Sequence, residues 1–392
     1  MRNLPQVKKS VKALSTVLGL CGQGCALLSP AARLRHVPEL IPLDQVHRVL
    51  VIQLFALGDV LLSLPLIKGL RSVCPQGEID VWLARNLQHE FKTLLPYVDR
   101  TIAADSCSIA RTLSTVRDLR KKRYDVAFVL YPVLIGSWLA RVTGARYRVG
   151  YTHDFDYRES LGGAESFLLT HPVKLGPAVI HDTQRYLALG RCLGLSLTQS
   201  PPFLYPPSSM NSYTHHFFLQ QGFDGKRPLI GINPNASWKG KQWPALQFAQ
   251  LADSLIQNQN VQVVFFGSKP EKEYVEGIIR SMKNKPLCAA GQTTLTQMAA
   301  LISRCHLFIS NDSGPMHMAC ALDVPTLAVM GPTRTEMFRP WASTFRIVQN
   351  PLPCTPCKDE NTDQCSHFSC IRSICVDAVY DAAVEMMRSS LS

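Results

Sequence analysis

The first motif that could do chemistry is Leu57-Gly58-Asp59, which comes directly after an apolar run ending at Leu54. Gly58 permits a tight turn at that point, so Asp59 is expected where a strand gives way to a helix. A carboxylate held there can act as a general base on a hydroxyl group. Aspartate is also favoured as the N-cap of a helix. The motif by itself therefore leaves both roles open.

The second motif, residues 233–244, combines small hydroxyl and amide side chains with Lys239 and Lys241. It follows an apolar run, and Pro244 is expected in the first turn of the helix that comes next. Helix N-termini and lysines together favour phosphate binding. The G-x-x-x-x-G-K-[ST] spacing of a Walker loop is absent. The segment therefore predicts a different phosphate site, with a solvated basic loop as the alternative.

The third motif, residues 310–319, again follows an apolar run and leads into a predicted helix. Ser313 and Gly314 can offer backbone N–H groups to an anion. His317, expected in the first helical turn close to Asp312, could contact a diphosphate. A single histidine on an apolar face is more often structural, and that alternative stays open for His317.

Apolar runs alternate with helical patterns throughout the region that must position these motifs. This alternation predicts parallel βαβ units in doubly wound sheets. Strands are predicted at 49–54, 79–83, 101–104, 126–130, 229–232, 261–266, 307–310 and 326–330. Helices are predicted at 60–71, 88–95, 108–122, 244–257, 271–282, 295–303 and 376–388.

The alternation stops at residues 201–209, which contain four prolines and two serines, and then restarts. Such a segment is typical of a linker. We therefore expect an α/β protein with two Rossmann-like halves, and ligands bound in a cleft beyond the carboxyl ends of their strands. The predicted divisions are a leader at 1–45, an N-terminal domain at 46–205 and a C-terminal domain at 206–392.

Together the three motifs resemble glycosyltransferase family 9, the lipopolysaccharide heptosyltransferases, over residues 48–387. The resemblance is carried by Gly58-Asp59 with Leu64-Pro65, by Lys241-Gln242-Trp243-Pro244 and by Asp312-Ser313-Gly314-x-x-His317. Gln53, Phe55 and Ala56 depart from it, since family members commonly have a basic residue and small hydroxyl residues there. These three positions bear on the identity of the acceptor.

The resemblance implies a GT-B fold and an inverting transfer that needs no metal or other cofactor. It makes the N-terminal domain the acceptor-binding half and the C-terminal domain the nucleotide-sugar-binding half. The expected donor is ADP-heptose and the expected acceptor is a lipid-anchored saccharide of the lipopolysaccharide core. The roles that it implies are the catalytic base for Asp59, diphosphate binding for Ser237, Lys241, His317 and the amides of Ser313 and Gly314, ribose binding for Glu271, and contacts with donor hydroxyls for Asp312.

The charge of the chain, +12 at pH 7, points to anionic partners. Six cationic residues precede the first acid, Glu39, and the apolar stretch at 11–28 in the same segment is too interrupted to span a bilayer. We expect a cytoplasmic protein held peripherally at the inner face of the cytoplasmic membrane. A signal peptide, a frayed leader and a misassigned start codon are the alternatives for the leader.

The thirteen cysteines fit a reducing compartment better than a disulfide framework. Cys354, Cys357, Cys365 and Cys370 have a spacing similar to that of zinc ligands. The alternative is a set of reduced thiols that stiffen a loop.

Two other functions remain possible at this stage. One is a family 9 transferase with a different donor or acceptor. The other is a basic protein that binds membrane or nucleic acid without turnover. That protein would need basic residues interleaved with aromatic ones on one face, whereas here the basic loop comes with an aspartate and two helix starts. We therefore expect no nucleic-acid partner.

Overall fold

The computed structural model describes residues 40–84, 87–104, 109–130, 134–151, 168–175, 181–196, 200–357, 365 and 367–391. Most of the predicted leader, residues 1–39, lies outside this part. Contacts divide the chain into two compact units, with the change at Gln199–Ser200 and with Thr93–Leu95 grouped in the second. Each unit is an α/β layer structure built on one parallel sheet.

The first unit contains a six-stranded sheet with the order β3-β2-β1-β4-β5-β6, and every described pairing is parallel. Its core strand β1 is buried apart from Arg48, as expected for a strand covered on both faces. The strands are β1 Arg48–Gln53, β2 Glu78–Ala84, β3 Arg100–Ala104, β4 Val126–Val129, β5 Tyr147–Tyr151 and β6 His171–Val173. The helices are α1 Leu57–Val73, α2 Gln88–Leu94, α3 Ile109–Lys122, α4 Leu134–Val142 and α5 Asp182–Leu189.

The second unit repeats this plan with the strand order β12-β11-β10-β7-β8-β9, again parallel throughout. The strands are β7 Leu229–Asn233, β8 Gln262–Phe265, β9 Leu287–Cys288, β10 Leu307–Asn311, β11 Thr326–Met330 and β12 Phe345–Gln349. The helices are α6 Met210–Gln221, α7 Ala245–Gln259, α8 Lys272–Arg280, α9 Leu295–Ile302, α10 Gly314–Ala321, α11 Thr335–Phe338, α12 Ser369–Arg372 and α13 Val376–Leu391.

The central strands of this second sheet, β7, β10 and β11, are buried along their whole length. α7 and α13 pack on the sheet, and Trp243 links the loop before α7 to the segment before α13 by donating from Nε1 to the Ile374 carbonyl at 2.9 Å. The loops that follow these strands therefore start from a rigid base.

The two doubly wound α/β halves predicted from the sequence are confirmed. Pro244 is the N-cap of α7 and not part of its first turn, and α8 begins at Lys272 and not at Glu271. Among the helices of the described part, none has the length and apolar character required to cross a bilayer.

Candidate functional site

Asp59 lies at the carboxyl end of β1, which is paired on both sides within its sheet. α1 begins at Leu57 with Ala56 as its N-cap, so Asp59 is the third helical residue. The alternative role as an N-cap is therefore wrong. Gln53, fully buried at the end of β1, donates from Nε2 to the Asp59 backbone carbonyl at 3.2 Å. The buried glutamine fixes the backbone that carries the carboxylate.

The surroundings of Asp59 include a buried tyrosine on α5. Burial raises the pKa of Tyr186 well above its usual value, and the negative charges of Asp59 and Asp182 raise it further. A hydrogen bond from Gln53 lowers this pKa but does not offset the rise. The N-terminus of α5 is capped by His181, whose Nδ1 accepts from the Thr183 N–H at 3.1 Å. Tyr186 therefore stays neutral at pH 7, and its hydroxyl group takes part in hydrogen bonding without adding charge beside Asp59.

In the second unit, loops after three neighbouring strands bring polar side chains together. The loop after β7 supplies Lys241, the loop after β10 supplies Asp312, and the loop after β11 supplies Thr333. Lys241 Nζ lies 2.8 Å from Asp312 Oδ2. The Thr333 hydroxyl donates to the same oxygen at 2.6 Å. Because the three strands are neighbours in the sheet, residues that are far apart in sequence lie together in one charged cluster at its carboxyl edge.

Burial is the largest single influence on the Asp312 carboxyl and by itself would raise its pKa, but the opposing influences, of which the Lys241 ammonium is the largest, together lower the pKa overall. Hydrogen bonds from Lys241 and Thr333 act in the same direction. Asp312 is 6% exposed, so this compensation decides its charge state. Asp312 is consequently ionised at neutral pH.

His317 lies in the first turn of α10 and is also 6% exposed. Burial lowers its pKa to about 4, with Lys241 acting in the same direction and Asp312 opposing both. Its buried Nδ1 has no hydrogen-bond partner among the described residues. At neutral pH His317 is an uncharged imidazole that can donate a hydrogen bond to an anionic oxygen.

An amide and hydroxyl network supports the loops behind this cluster. Asn233 Nδ2 donates to Ser313 Oγ at 3.1 Å and to Ser310 Oγ at 3.3 Å. Asn311 ties the loop after β7 to β10, since its Oδ1 accepts from the Trp243 N–H and its Nδ2 donates to the Pro234 carbonyl. No side chain caps α10, although Ser313 is its N-cap residue. The N-terminus of α10 therefore keeps the electropositive character that favours anions.

The other two predicted donor residues have different surroundings. Ser237 is exposed in the loop between β7 and the short 3-10 helix Lys239–Lys241. Glu271 forms a capping box with Ser268, since its Oε2 accepts from the Ser268 N–H at 2.7 Å and from the Ser268 hydroxyl at 2.6 Å. The structure therefore brings Lys241, Asp312 and His317 together, while Glu271 already has a local structural role.

Sequence reasoning missed Thr333 and the Asn233 network. Thr333 follows Gly331-Pro332 directly after the apolar strand β11. A polar residue at the end of a predicted strand was the available signal. Its partner could not be named without the order of the strands in the sheet.

The cysteine-rich segment packs beside the same loops. The Cys357 N–H donates to the Pro332 carbonyl at 3.0 Å. Cys354, Cys357, Cys365 and Cys370 are free thiols, and burial raises the pKa of Cys370 to about 11. In the part of the chain that the structure describes, no three His, Cys, Asp or Glu side chains are arranged to hold a metal ion. The zinc-site alternative gains no support from this arrangement.

Comparison with known proteins connects both units to one family. Residues 112–367 match glycosyltransferase family 9 (heptosyltransferase). The chain is similar to lipopolysaccharide heptosyltransferase 2 of Escherichia coli K12, with 28% identity over 318 residues that cover 77% of this chain and 88% of that protein.

Two solved structures share the fold at similar identity. The family 9 glycosyltransferase of Veillonella parvula aligns with a TM-score of 0.77 and 25% identity, over 89% of this chain and 99% of that one. The E. coli ADP-heptose lps heptosyltransferase II aligns with a TM-score of 0.71 and 26% identity, over 88% of this chain and 100% of that one. Two Rossmann-like units with this similarity define the GT-B architecture. The chain belongs to glycosyltransferase family 9 and is a glycosyltransferase of the heptosyltransferase type.

Proposed function

We propose that this enzyme transfers heptose from ADP-heptose to a lipid-anchored saccharide of the lipopolysaccharide core, with inversion at the anomeric carbon. The observation that carries the proposal is the cluster of Lys241, Asp312 and His317 beside the uncapped N-terminus of α10. A nucleotide diphosphate leaving group needs positive charge and N–H donors in its immediate surroundings. The similarity to an ADP-heptose lps heptosyltransferase supports this choice of donor.

Within the donor site, the charges of the side chains favour different roles for different residues. Lys241 supplies the positive charge, while neutral His317 and the N-terminus of α10 supply hydrogen-bond donors. The ionised Asp312 would repel a phosphate, so we assign it to the hydroxyl groups of the donor sugar. Ser237 is assigned to the diphosphate and Glu271 to the ribose.

The transfer itself is a single displacement. The acceptor hydroxyl oxygen bonds to the anomeric carbon, the bond from that carbon to the diphosphate oxygen breaks, and ADP leaves with the electron pair. Asp59 accepts the hydroxyl proton as general base. Its place at the carboxyl end of a central strand, outside the N-cap position, supports this role. No metal or other cofactor is assigned to the reaction.

The acceptor is expected to be presented at a membrane. We assign the enzyme to the cytoplasm, bound peripherally at the inner face of the cytoplasmic membrane, where a lipid-linked acceptor would meet a soluble donor. The cationic residues that precede Glu39 support this assignment, because they are attracted to anionic lipid.

The test is a transfer assay with a panel of nucleotide sugars and heptose-deficient and heptose-containing lipopolysaccharide cores, with products read by mass. ADP-heptose is expected to give an acceptor that is heavier by one heptose, together with one equivalent of ADP. Transfer from another nucleotide sugar in preference to ADP-heptose would replace the proposed donor. That outcome favours the second candidate, a family 9 transferase with a different donor or acceptor, to which Gln53, Phe55 and Ala56 point.

A further inference from the structure

Thr333 lies in the loop after β11, at the end of the segment Gly331-Pro332-Thr333. It is 8% exposed, so its hydroxyl group needs a partner within the protein. β11 is the neighbour of β10 in the sheet. The loop after β11 is therefore placed directly beside Asp312, which follows β10.

The contact with Asp312 is short and involves a charge. Thr333 Oγ1 donates to Asp312 Oδ2 at 2.6 Å, and Lys241 Nζ contacts the same oxygen at 2.8 Å. Both contacts use Oδ2, and neither uses Oδ1. Two donors on one oxygen fix the rotation of the carboxylate group.

The loop that carries Thr333 is itself held at several points. Gln349 Nε2 donates to the Gly331 carbonyl at 2.9 Å and to the Thr333 carbonyl at 3.3 Å. A Cβ atom at Gly331 would lie 2.9 Å from Ile371 Cβ and 3.2 Å from the Gly240 carbonyl. This close approach joins the loop after β11 to the turn that bears Lys241. Thr333 therefore lies on a firmly held loop beside both Lys241 and Asp312.

We propose that Thr333 is a positioning residue of the donor site, which holds the Asp312 carboxylate with Oδ2 toward Lys241 so that Oδ1 is left for a hydroxyl group of the donor sugar. This inference rests on the proposed donor-binding role of Asp312 and Lys241. It adds a residue of the loop after β11 to that site, and it assigns to the Thr333 hydroxyl a specific task in orienting another side chain.

The experiment compares Thr333→Val, which keeps the shape and removes the hydroxyl group, with Thr333→Ser, which keeps the hydroxyl. Thr326→Val is the matched control, because Thr326 is a fully buried threonine of the same unit whose hydroxyl donates to the Val324 carbonyl at 2.8 Å. For each full-length protein, ADP and ADP-heptose affinity is measured by calorimetry between pH 4 and pH 8, and donor KM and kcat are measured by transfer.

Thr333→Val is expected to weaken ADP-heptose binding by at least about tenfold, the effect of losing a hydrogen bond to a charged group. The donor KM should rise more than kcat falls. Because the lost bond holds the pKa of Asp312 down, its removal raises that pKa, and the loss of donor affinity on acidification should begin at a higher pH. Thr333→Ser should restore both properties, and Thr326→Val should leave both unchanged even where its melting temperature falls.

Three results distinguish a failure of the inference from a failure of the proposed function. If wild-type protein binds ADP-heptose while Thr333→Val has the same affinity and pH profile, the positioning role is wrong. The positioning role is equally wrong if Thr326→Val reproduces the effects of Thr333→Val. If wild-type protein binds neither ADP nor ADP-heptose, the proposed donor itself is wrong.

Discussion

At the residue scale, Lys241 and Asp312 form an ion pair in the structure. On sequence grounds alone, truncation of Lys241 is expected to remove charge from a loop at little cost to stability. The structure changes this expectation, since the ammonium lies 2.8 Å from a carboxylate that is 6% exposed. Removal of one partner leaves the other as a buried, uncompensated charge.

We therefore predict that Lys241→Ala both weakens ADP binding and lowers the free energy of unfolding, by about 1–3 kcal/mol at pH 7 after allowance for the partial exposure of the lysine. The double variant Lys241→Ala/Asp312→Asn should recover most of the stability and none of the ADP affinity. Urea unfolding and calorimetry on the three proteins measure the two effects. Unchanged ADP affinity in Lys241→Ala would remove the lysine from the donor site.

His317 gives a prediction on pH dependence. Its pKa is about 4 in the folded protein, below the ordinary value of 6.5, so the unfolded chain binds a proton first as the pH falls. Stability should therefore drop between pH 6.5 and pH 4 and level off below, by roughly 3 kcal/mol at most from this group.

The measurement is urea unfolding at pH 7, 5.5 and 4 for the wild type and for His317→Gln. The variant should show a shallower decline across this window, because glutamine does not titrate. Parallel declines in the two proteins would mean that His317 is not buried in its neutral form.

At the scale of elements, the sequence predicted the strands that are continuous apolar runs and are buried in the structure. β1, β7, β10 and β11 are apolar runs buried along most or all of their length, and their positions agree with prediction to within about one residue. The strands that were missed lie toward or at the sheet edges. β6 has three residues and β9 has two, while β5 and β12 are partly exposed, so each lacks the length or apolar continuity that marks a strand.

The site was predictable in part for the same reason. Lys241 and Asp312 follow predicted strands, and polar residues at the carboxyl ends of such strands indicate a ligand site. Thr333 and Asn233 acquire their roles only through strand order, because β7, β10 and β11 are neighbours in space and far apart in sequence. The pattern of residues along the chain does not reveal which strands are neighbours in the sheet.

Glu271 has a structural role at the start of a short 3-10 helix, and this role can be tested separately from ribose binding. Its capping box with Ser268 predicts that Glu271→Ala lowers the free energy of unfolding by about 1 kcal/mol. Glu271→Gln preserves the box, since glutamine serves at the same position. If Glu271 also binds the ribose through its charge, Glu271→Gln should keep wild-type stability and still lose ADP affinity in calorimetry. Wild-type affinity in Glu271→Gln would leave the carboxylate with the capping role alone.

At the scale of the whole molecule, the two halves of the reaction are assigned to different units. Asp59 follows a central strand of the first sheet, and the donor groups follow central strands of the second. Neither unit alone holds both the proposed base and the proposed donor site. The two units themselves belong to the GT-B architecture that the chain shares with the solved family 9 structures.

The proposed membrane association concerns the full chain. Six cationic residues precede Glu39 in the sequence, outside the part that the structure describes, and each can add about 1 kcal/mol of attraction near an anionic surface. Salt screens this attraction, so we predict that high salt releases the protein from inner-membrane fractions. Protein that stays in the pellet until detergent is added would show an inserted leader, and cleavage near Pro30 with export would contradict the cytoplasmic assignment.

The central claim is that Asp59 is the base of the transfer, and Asp59→Asn tests it most directly. Asparagine has the same shape, and the N-cap of α1 is Ala56, so the variant should keep the fold and the ADP affinity of the wild type. The transfer rate with saturating ADP-heptose and acceptor should fall by at least about a hundredfold, because the amide cannot accept the hydroxyl proton. A folded Asp59→Asn protein that binds ADP and transfers at close to the wild-type rate would contradict the claim.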